Sequence, residues 1–362
     1  MKSNRIVFLG VVVTAFVVTS AALAATATPV MTNLDNPRGL AFGKNGALYV
    51  AEAGRGGTGP CQVLRGESQC YGPTGRITRY WKGRQQAVVT GLPSYVTVSS
   101  GEATGPHDLA IHGKHADVTI GWGDNPALRA TPPSAVWGQF GHLVRAELKG
   151  KGKWKRGADI SAYEAAANPG GGPIDSNPYG ILGQRGGRLL VTEAGGNDLL
   201  QVHKKHISTV AVFPSRSSTP PHASCVFPGF PPITDSVPTA VTVGPDGAYY
   251  VSELTGAPFC SGFANVYRVV PGQTPTVYCS GFTTIIDLAF GPDGNLYVAQ
   301  HSNGPVFFGA PGDVVRVGPG CAKTVVTPPL NRPGSLAFGR DGKLYVSVNS
   351  NSPGSGQVVR ID

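Results

Sequence analysis

Ile286-Asp-Leu-Ala-Phe-Gly-Pro-Asp-Gly-Asn-Leu-Tyr-Val-Ala-Gln300 decides the fold, because the same phrase stands near the other end of the chain as Asn36-Pro-Arg-Gly-Leu-Ala-Phe-Gly-Lys-Asn-Gly-Ala-Leu-Tyr-Val-Ala-Glu52. A third copy runs Pro238-Thr-Ala-Val-Thr-Val-Gly-Pro-Asp-Gly-Ala-Tyr-Tyr-Val-Ser-Glu253, and a fourth Pro333-Gly-Ser-Leu-Ala-Phe-Gly-Arg-Asp-Gly-Lys-Leu-Tyr-Val-Ser-Val348. Degenerate copies over residues 106–122 and 178–193 bring the count to six, with units starting near residues 36, 105, 177, 237, 285 and 332. Self-similarity at such a period is the mark of a repeat architecture.

Each unit reads as an apolar strand, a Gly-x-Asp/Asn-Gly turn whose glycines supply positive φ, and a second strand of the Leu-Tyr-Val kind. A third strand follows, as in Val314-Val-Arg-Val317, and a fourth, as in Val210-Ala-Val-Phe213. Four antiparallel strands repeated six times predict an all-β six-bladed β-propeller. The last unit stops at Asp362 after its third strand, while residues 29–33 precede the first unit where a fourth strand precedes every other. The N-terminal strand should therefore complete the last blade and remove the open edges of the array.

Composition agrees with many short elements joined by turns. The 362 residues include 51 Gly and 31 Pro but only 14% charged residues, which excludes helical bundles with solvated charged faces. Lys2 and Arg5, the apolar run 6–18 and Ala22-Leu-Ala24 form a secretory signal pattern, so residues 1–24 are read as a leader and 25–362 as one propeller domain. That places the mature chain in a secreted, extracellular or periplasmic compartment, with no membrane span after cleavage. Six cysteines suit such a compartment. Cys61 with Cys70 closes a local loop, and Cys225 with Cys260 and Cys279 with Cys321 completes the expected set. The net charge of +9 is spread thinly, and its densest stretch, residues 149–156, reads as a solvated hairpin tip, so no nucleic-acid partner is expected. The protein is expected to be a monomer.

In an up-and-down blade the Gly-x-Asp-Gly turns share one end. Long insertions fall at the other, over residues 53–73, 123–141, 163–176, 215–236, 255–262 and 302–312, and that elaborated face is the expected site of function. The second strands should end at its rim with Glu52, Trp122, Glu193, Glu253, Gln300 and Val348. The first strands should open nearer the axis with Arg38, His107, Tyr179, Thr239, Ile286 and Gly334, followed by Asp108 and Asp287. Converging carboxylates can hold a hard divalent cation such as Ca²⁺ or Mg²⁺ and so activate water. Glu193, Glu253, His107 and His301 are candidate acid/base groups. Arg38, Glu52, His107, Asp108, Trp122, Tyr179, Glu193, Glu253 and Gln300 are candidate ligand contacts. The competing structural reading has the glutamates pair with arginine or cap loop amides. Neither a catalytic role nor a cofactor is fixed at this level. The His112-x-x-His115 and His203-x-x-His206 pairs fall on hairpin turns of the opposite end, and no Gly-x-Ser-x-Gly, His-Glu-x-x-His or dinucleotide fingerprint is present.

The Gly-Pro-Asp-Gly-x-Leu-Tyr-Val-Ala phrase resembles NHL-type propeller repeats, whose members range from binding scaffolds to lyases and lactonases. The wider arrangement joins the leader, Asn36-Pro-Arg-Gly-Leu40, a Gly-rich insertion with Cys61, Gly105-Pro-His-Asp-Leu109, Asp159-Ile-Ser-Ala-Tyr-Glu-Ala-Ala-Ala167 and Asp175-Ser-Asn-Pro-Tyr-Gly180. It resembles the ScyD/ScyE family of secreted bacterial proteins, whose founders belong to the scytonemin pigment gene cluster. That resemblance implies an extracytoplasmic propeller that binds a small molecule or another protein, linked to the processing of an aromatic pigment precursor. The alternative is a metal-dependent, lactonase-like hydrolase or lyase using the glutamates. Gluconolactonase and paraoxonase relatives, however, carry an Asn or Asp metal ligand in the opening phrase, where this chain has Arg38, His107, Tyr179, Thr239, Ile286 and Gly334.

Overall fold

The structure, a computed structural model, describes residues 25–150, 152–217, 233–304 and 309–362. The leader segment and Cys225 lie outside the described residues. Six four-stranded antiparallel blades form a ring, a six-bladed β-propeller, and the sheet of the first blade gains two further short strands. Blade 1 comprises Pro37–Phe42, Leu48–Glu52, Glu67–Trp81 and Arg84–Thr97, and blade 2 comprises Pro106–His112, His115–Ile120, His142–Glu147 and Trp154–Asp159. Blade 3 follows with Pro178–Gly183, Arg188–Glu193, Asp198–His203 and His206–Val212, and blade 4 with Pro238–Val243, Tyr249–Glu253, Ala264–Val269 and Thr276–Phe282. Blade 5 is Ile285–Phe290, Leu296–Gln300, Asp313–Val317 and Lys323–Val325. Blade 6 takes Ser335–Phe338, Leu344–Val348 and Gly356–Ile361 from the C-terminus and its outer strand, Ala27–Leu34, from the N-terminus.

The recurring turn has a local cause. In blades 1, 4, 5 and 6 the first glycine donates its N–H across the turn, Gly43 to Ala47 O, Gly244 to Ala248 O, Gly291 to Asn295 O and Gly339 to Lys343 O, all at 2.8–2.9 Å. The Asn or Asp between the glycines accepts the N–H two residues on, at 3.1–3.3 Å, from Asn45, Asp246, Asp293 and Asp341. The closing glycine takes φ between 73° and 79° at Gly46, Gly247, Gly294 and Gly342, where a Cβ would be strained.

Six larger apolar clusters fill the gaps between adjacent blades. Leu109, Val118 and Ile120 pack on Ile77 and Val89 between blades 1 and 2, and Met31, Leu34 and Val358 pack on Leu40 and Val50 where blade 6 meets blade 1. The last gap contains the N-terminal strand, in which Met31 is 1% and Leu34 0% exposed. The insertions after second strands build the other face. Blade 1 extends its outer strands into an arm that pairs with Cys61–Leu64 and is pinned by the Cys61–Cys70 disulfide. The Cys279–Cys321 disulfide ties blade 4 to blade 5. Tyr95, Trp122, Trp137 and Phe140 stack with ring centroids 5.1–6.4 Å apart beneath this arm. The Ala-rich segment forms the helix Ile160–Ala167, with Asp159 accepting from Ala162 N as its N-cap. Among the described residues no helix is long and apolar enough to cross a membrane.

Deleting residues 25–34 leaves Gly356–Ile361 as a bare edge beside an unfilled apolar gap. The truncated protein is expected to melt at lower temperature and to self-associate in sedimentation; a monomer of unchanged stability would contradict the clasp.

Candidate functional site

The first strand of each blade starts at the elaborated face and runs along the axis. In blades 1 to 5 it carries a bulge, as between Pro37 and Leu40 or Pro178 and Ile181, which turns backbone amides and side chains toward the axis. His107, Tyr179, Thr239, Ile286 and Gly334, with Gly39, Asp108, Asp287 and Ser335, line a throat that narrows to about 10 Å³. On the short-turn side the throat opens into an axial funnel of about 650 Å³ whose walls mix aliphatic side chains with Asp108, His112, Gln184, Arg185 and Asp287. On the elaborated side, a cleft of about 220 Å³ lies against Arg65, Gln69, Thr97, Glu102 and Thr104 beneath the arm of blade 1.

Arg38 joins throat and cleft. Its guanidinium is 6% exposed, and Nη2 donates to Glu102 Oε1 and to Ala103 O, both at 3.2 Å. Arg38 Nε and the neighbouring Tyr179 hydroxyl are buried without a well-formed hydrogen bond. The His107 ring lies 4.6 Å from the Tyr179 ring, and its Nδ1 is 3.2 Å from Pro178 O. His301 Nδ1 is 2.8 Å from Pro333 O. A carbonyl only accepts, so both imidazoles carry the proton on Nδ1 and the lone pair on Nε2. Burial, reinforced by the Arg38 charge, lowers His107 to about 3, and burial lowers His301 to about 4, so both are neutral at physiological pH. Burial works to raise the half-exposed Glu102 carboxyl, but the Arg38 charge outweighs it and holds Glu102 below its ordinary value.

The two axial aspartates are anchored to neighbouring blades. Asp108 accepts from Leu109 N at 2.8 Å and from Ile181 N of blade 3 at 2.9 Å. Asp287 accepts from Ser335 Oγ at 2.5 Å and Leu336 N at 2.9 Å in blade 6, and Ser335 Oγ in turn accepts from Leu40 N of blade 1 at 3.0 Å. Burial, then the charge of Asp287, pushes Asp108 up to about 8, while burial pushes Asp287 up to about 6.

The glutamates at the ends of second strands do not face the axis. Glu52 accepts from Asp35 N at 2.6 Å, Arg76 Nη2 at 2.8 Å and Thr78 Oγ1. Glu193 accepts from Ser176 Oγ at 2.9 Å and from the Asn177 and Gly196 amides, and burial raises it to about 8. Glu253 accepts from Arg216 Nη2 at 2.5 Å, Asn265 N at 2.8 Å and Ser236 Oγ at 2.9 Å. Gln300 plays the same part, accepting from Thr283 N at 2.7 Å and donating to Asp313 at 2.9 Å. Each side chain ties the segment entering its blade to the third strand or, for Glu193, to the turn that leads into it. One placement needs correction. Ile120, paired with Pro106, occupies in blade 2 the position that Glu52 holds opposite Pro37; Trp122 lies two residues beyond it, 0% exposed in the aromatic stack. The bulged register of the degenerate repeat displaced the alignment. Among the described residues no three His, Cys, Asp or Glu side chains are grouped as a ready metal-ligand set.

Glu102 was not among the sequence candidates, because it lies in an insertion rather than a repeat. Its place just before the Ala103-Thr104-Gly105-Pro106-His107 opening phrase was the available signal.

No family model matches the chain, and no curated protein sequence matches it. Among solved structures it is similar to a putative oxidoreductase (glucose dehydrogenase) from Thermus thermophilus, with TM-score 0.53, 18% identity, and coverage of 94% of this chain and 100% of that one. It is similar to the soluble aldose sugar dehydrogenase of Escherichia coli, with TM-score 0.54, 12% identity, and coverage of 94% and 99%. It is also similar to a streptogramin B lyase, with TM-score 0.51, 11% identity, and coverage of 93% and 97%. At these identities the likeness is one of propeller fold.

Two outcomes follow from this geometry. Glu253→Ala leaves Arg216, Ser236 and the Asn265 amide without their acceptor and should cost about 3 kcal/mol of stability, measured by denaturant unfolding; a loss under about 0.5 kcal/mol would remove the anchoring role. His107 stays neutral in the folded state down to about pH 3, whereas the unfolded chain takes up that proton near 6.5. The unfolded state then binds more protons in between, so stability falls as pH drops from 6.5. His107→Phe keeps the ring and should flatten that fall; parallel melting profiles between pH 4 and 6.5 would contradict it.

Proposed function

We propose that this chain is an extracytoplasmic propeller of the ScyD/ScyE kind that binds a small anionic aromatic ligand at the loop-built mouth of its axis. The observation that carries the reading is Arg38, a buried guanidinium that faces the buried Tyr179 hydroxyl without a well-formed hydrogen bond at its Nε, at the junction of throat and cleft. A carboxylate or phenolate matches this donor pair, since buried polar groups are ordinarily satisfied. The Tyr179 and His107 rings offer an aromatic wall, and the neutral imidazoles add hydrogen-bonding capacity without charge. The Cys61–Cys70 and Cys279–Cys321 disulfides suit an oxidising compartment and agree with the leader read from the sequence.

A hydrolase or lyase is the second reading, supported by the fixed tautomers of His107 and His301, whose Nε2 lone pairs can take a proton. It moves the chemistry away from Glu52, Glu193 and Glu253, whose oxygens hold loops in place.

The test uses indole-3-carboxylate and 4-hydroxybenzoate against their neutral amides, read by the shift in melting temperature of the mature protein and by calorimetry. The acids should stabilise and the amides should not, and Arg38→Met should weaken acid binding at least tenfold, for a charge-assisted bond worth about 1.5–3 kcal/mol. Equal response to acid and amide, or an unaltered response in the variant, would remove the reading.

A further inference from the structure

Beneath the elaborated face of blade 3, away from the axis, three carboxylates lie near one another with no basic partner among the described residues. Glu164 projects from the helix Ile160–Ala167, Glu193 ends the second strand, and Asp198 opens the third directly opposite Glu193. All three are 0% exposed. Glu193 spends its oxygens on Ser176 and on the Asn177 and Gly196 amides. Glu164 and Asp198 are different: both oxygens of each are buried without a hydrogen-bond partner. Among the described residues, Glu164 and Glu193 make Asp198 harder to ionise, Glu164 and Asp175 do the same to Glu193, and Asp175 to Glu164.

The backbone is shaped around the Glu164 carboxylate. A Cβ at Gly196 would stand 2.5 Å from Glu164 Oε2 and 2.8 Å from Oε1, and one at Gly170 would collide with Gly196 O. The Glu164 carboxylate thus lies directly against the backbone of the turn joining the second and third strands. Buried carboxylates are paired, hydrogen-bonded or bound to metal, and here the first two are missing for four oxygens.

We propose that Glu164 and Asp198 hold one hard divalent cation, of the Ca²⁺ type, that locks the helix Ile160–Ala167 onto the Gly195-Gly196 turn of blade 3. Such a cation takes six to eight oxygens from carboxylates, backbone carbonyls and water, so two side chains suffice when backbone and water complete the shell. Glu193 stays with its amides and supplies negative potential rather than a bond. The role is structural and stands apart from the ligand reading of the axial mouth.

The experiment uses the whole mature protein, dialysed against EDTA and then titrated with CaCl2 or MgCl2 alone. One equivalent of metal by calorimetry and a rise in melting temperature that grows with free Ca²⁺ are expected, because a ligand held only by the native state stabilises it by mass action. Glu164→Gln with Asp198→Asn should abolish the response while melting higher than the EDTA-treated parent, since the buried repulsion is gone. His107→Phe, at the mouth, should keep the full response. No binding of either metal by the parent, or a response retained in the double variant, overturns the proposal.

Discussion

Ring closure is the constraint on which the rest of this structure depends. No blade buries both of its faces alone, so each apolar layer exists only because a neighbouring blade covers it. The layer between blade 6 and blade 1 is the demanding one, since chain connectivity does not enforce it. Met31 and Leu34, from the strand made first, fill it against Leu40 and Val50. Axial hydrogen bonds run from blade to blade as well: Thr119 Oγ1 donates to Tyr179 O at 2.5 Å, Thr239 Oγ1 to Ile285 O at 2.8 Å, and Ser347 Oγ to Arg38 O at 2.9 Å across the closure. These bonds form where the bulged first strands leave backbone groups outside their own ladders, so the ring satisfies near its axis what each sheet leaves open.

A rigid ring allows one repeated position to serve two purposes. At the end of the second strand, Glu52, Glu193, Glu253 and Gln300 are all anchors, each collecting amides and hydroxyls from the segments that bend around it. At the opening of the first strand the repeat imposes no such role, and the residues diverge into Arg38, His107, Tyr179, Thr239, Ile286 and Gly334. The second set is free to diverge because the scaffold makes no common demand on it. In blades 1, 3, 4 and 5 the insertion thus leaves its second strand beside a buried acceptor.

The two ends of the axis differ in character. On the short-turn side, two aspartates whose carboxyls burial pushes up, Asp108 further than Asp287, form the floor of a funnel of mixed polarity. On the loop side, Arg38, Arg65 and Glu102 place formal charge beside neutral imidazoles. Low dielectric at the throat makes each of these charges matter more than it would on an open surface, and the half-exposed Glu102 leaves the mouth open to solvent while Arg38 stays covered.

Fold, blade number, the closing strand and the hairpin turns were legible in the chain, because each follows from local chemistry repeated at a readable period, and two of the expected disulfides are present. Gly-x-Asp-Gly means the same turn wherever it stands, and the strand missing from the C-terminus had to come from the N-terminus. The ring of first-strand positions was legible too, since register carries it around the axis. The direction in which a side chain leaves its strand was not. Glu193 and Glu253 share their spacing with any rim ligand, and only the loops folded back upon them turn their oxygens inward. Glu102 joined Arg38, and Glu164 met Asp198, from insertions with no period to align. Periodicity determined the scaffold because it is a property of neighbours in sequence; the site depended on tertiary structure because its partners are brought together only when the ring closes and the loops pack across it.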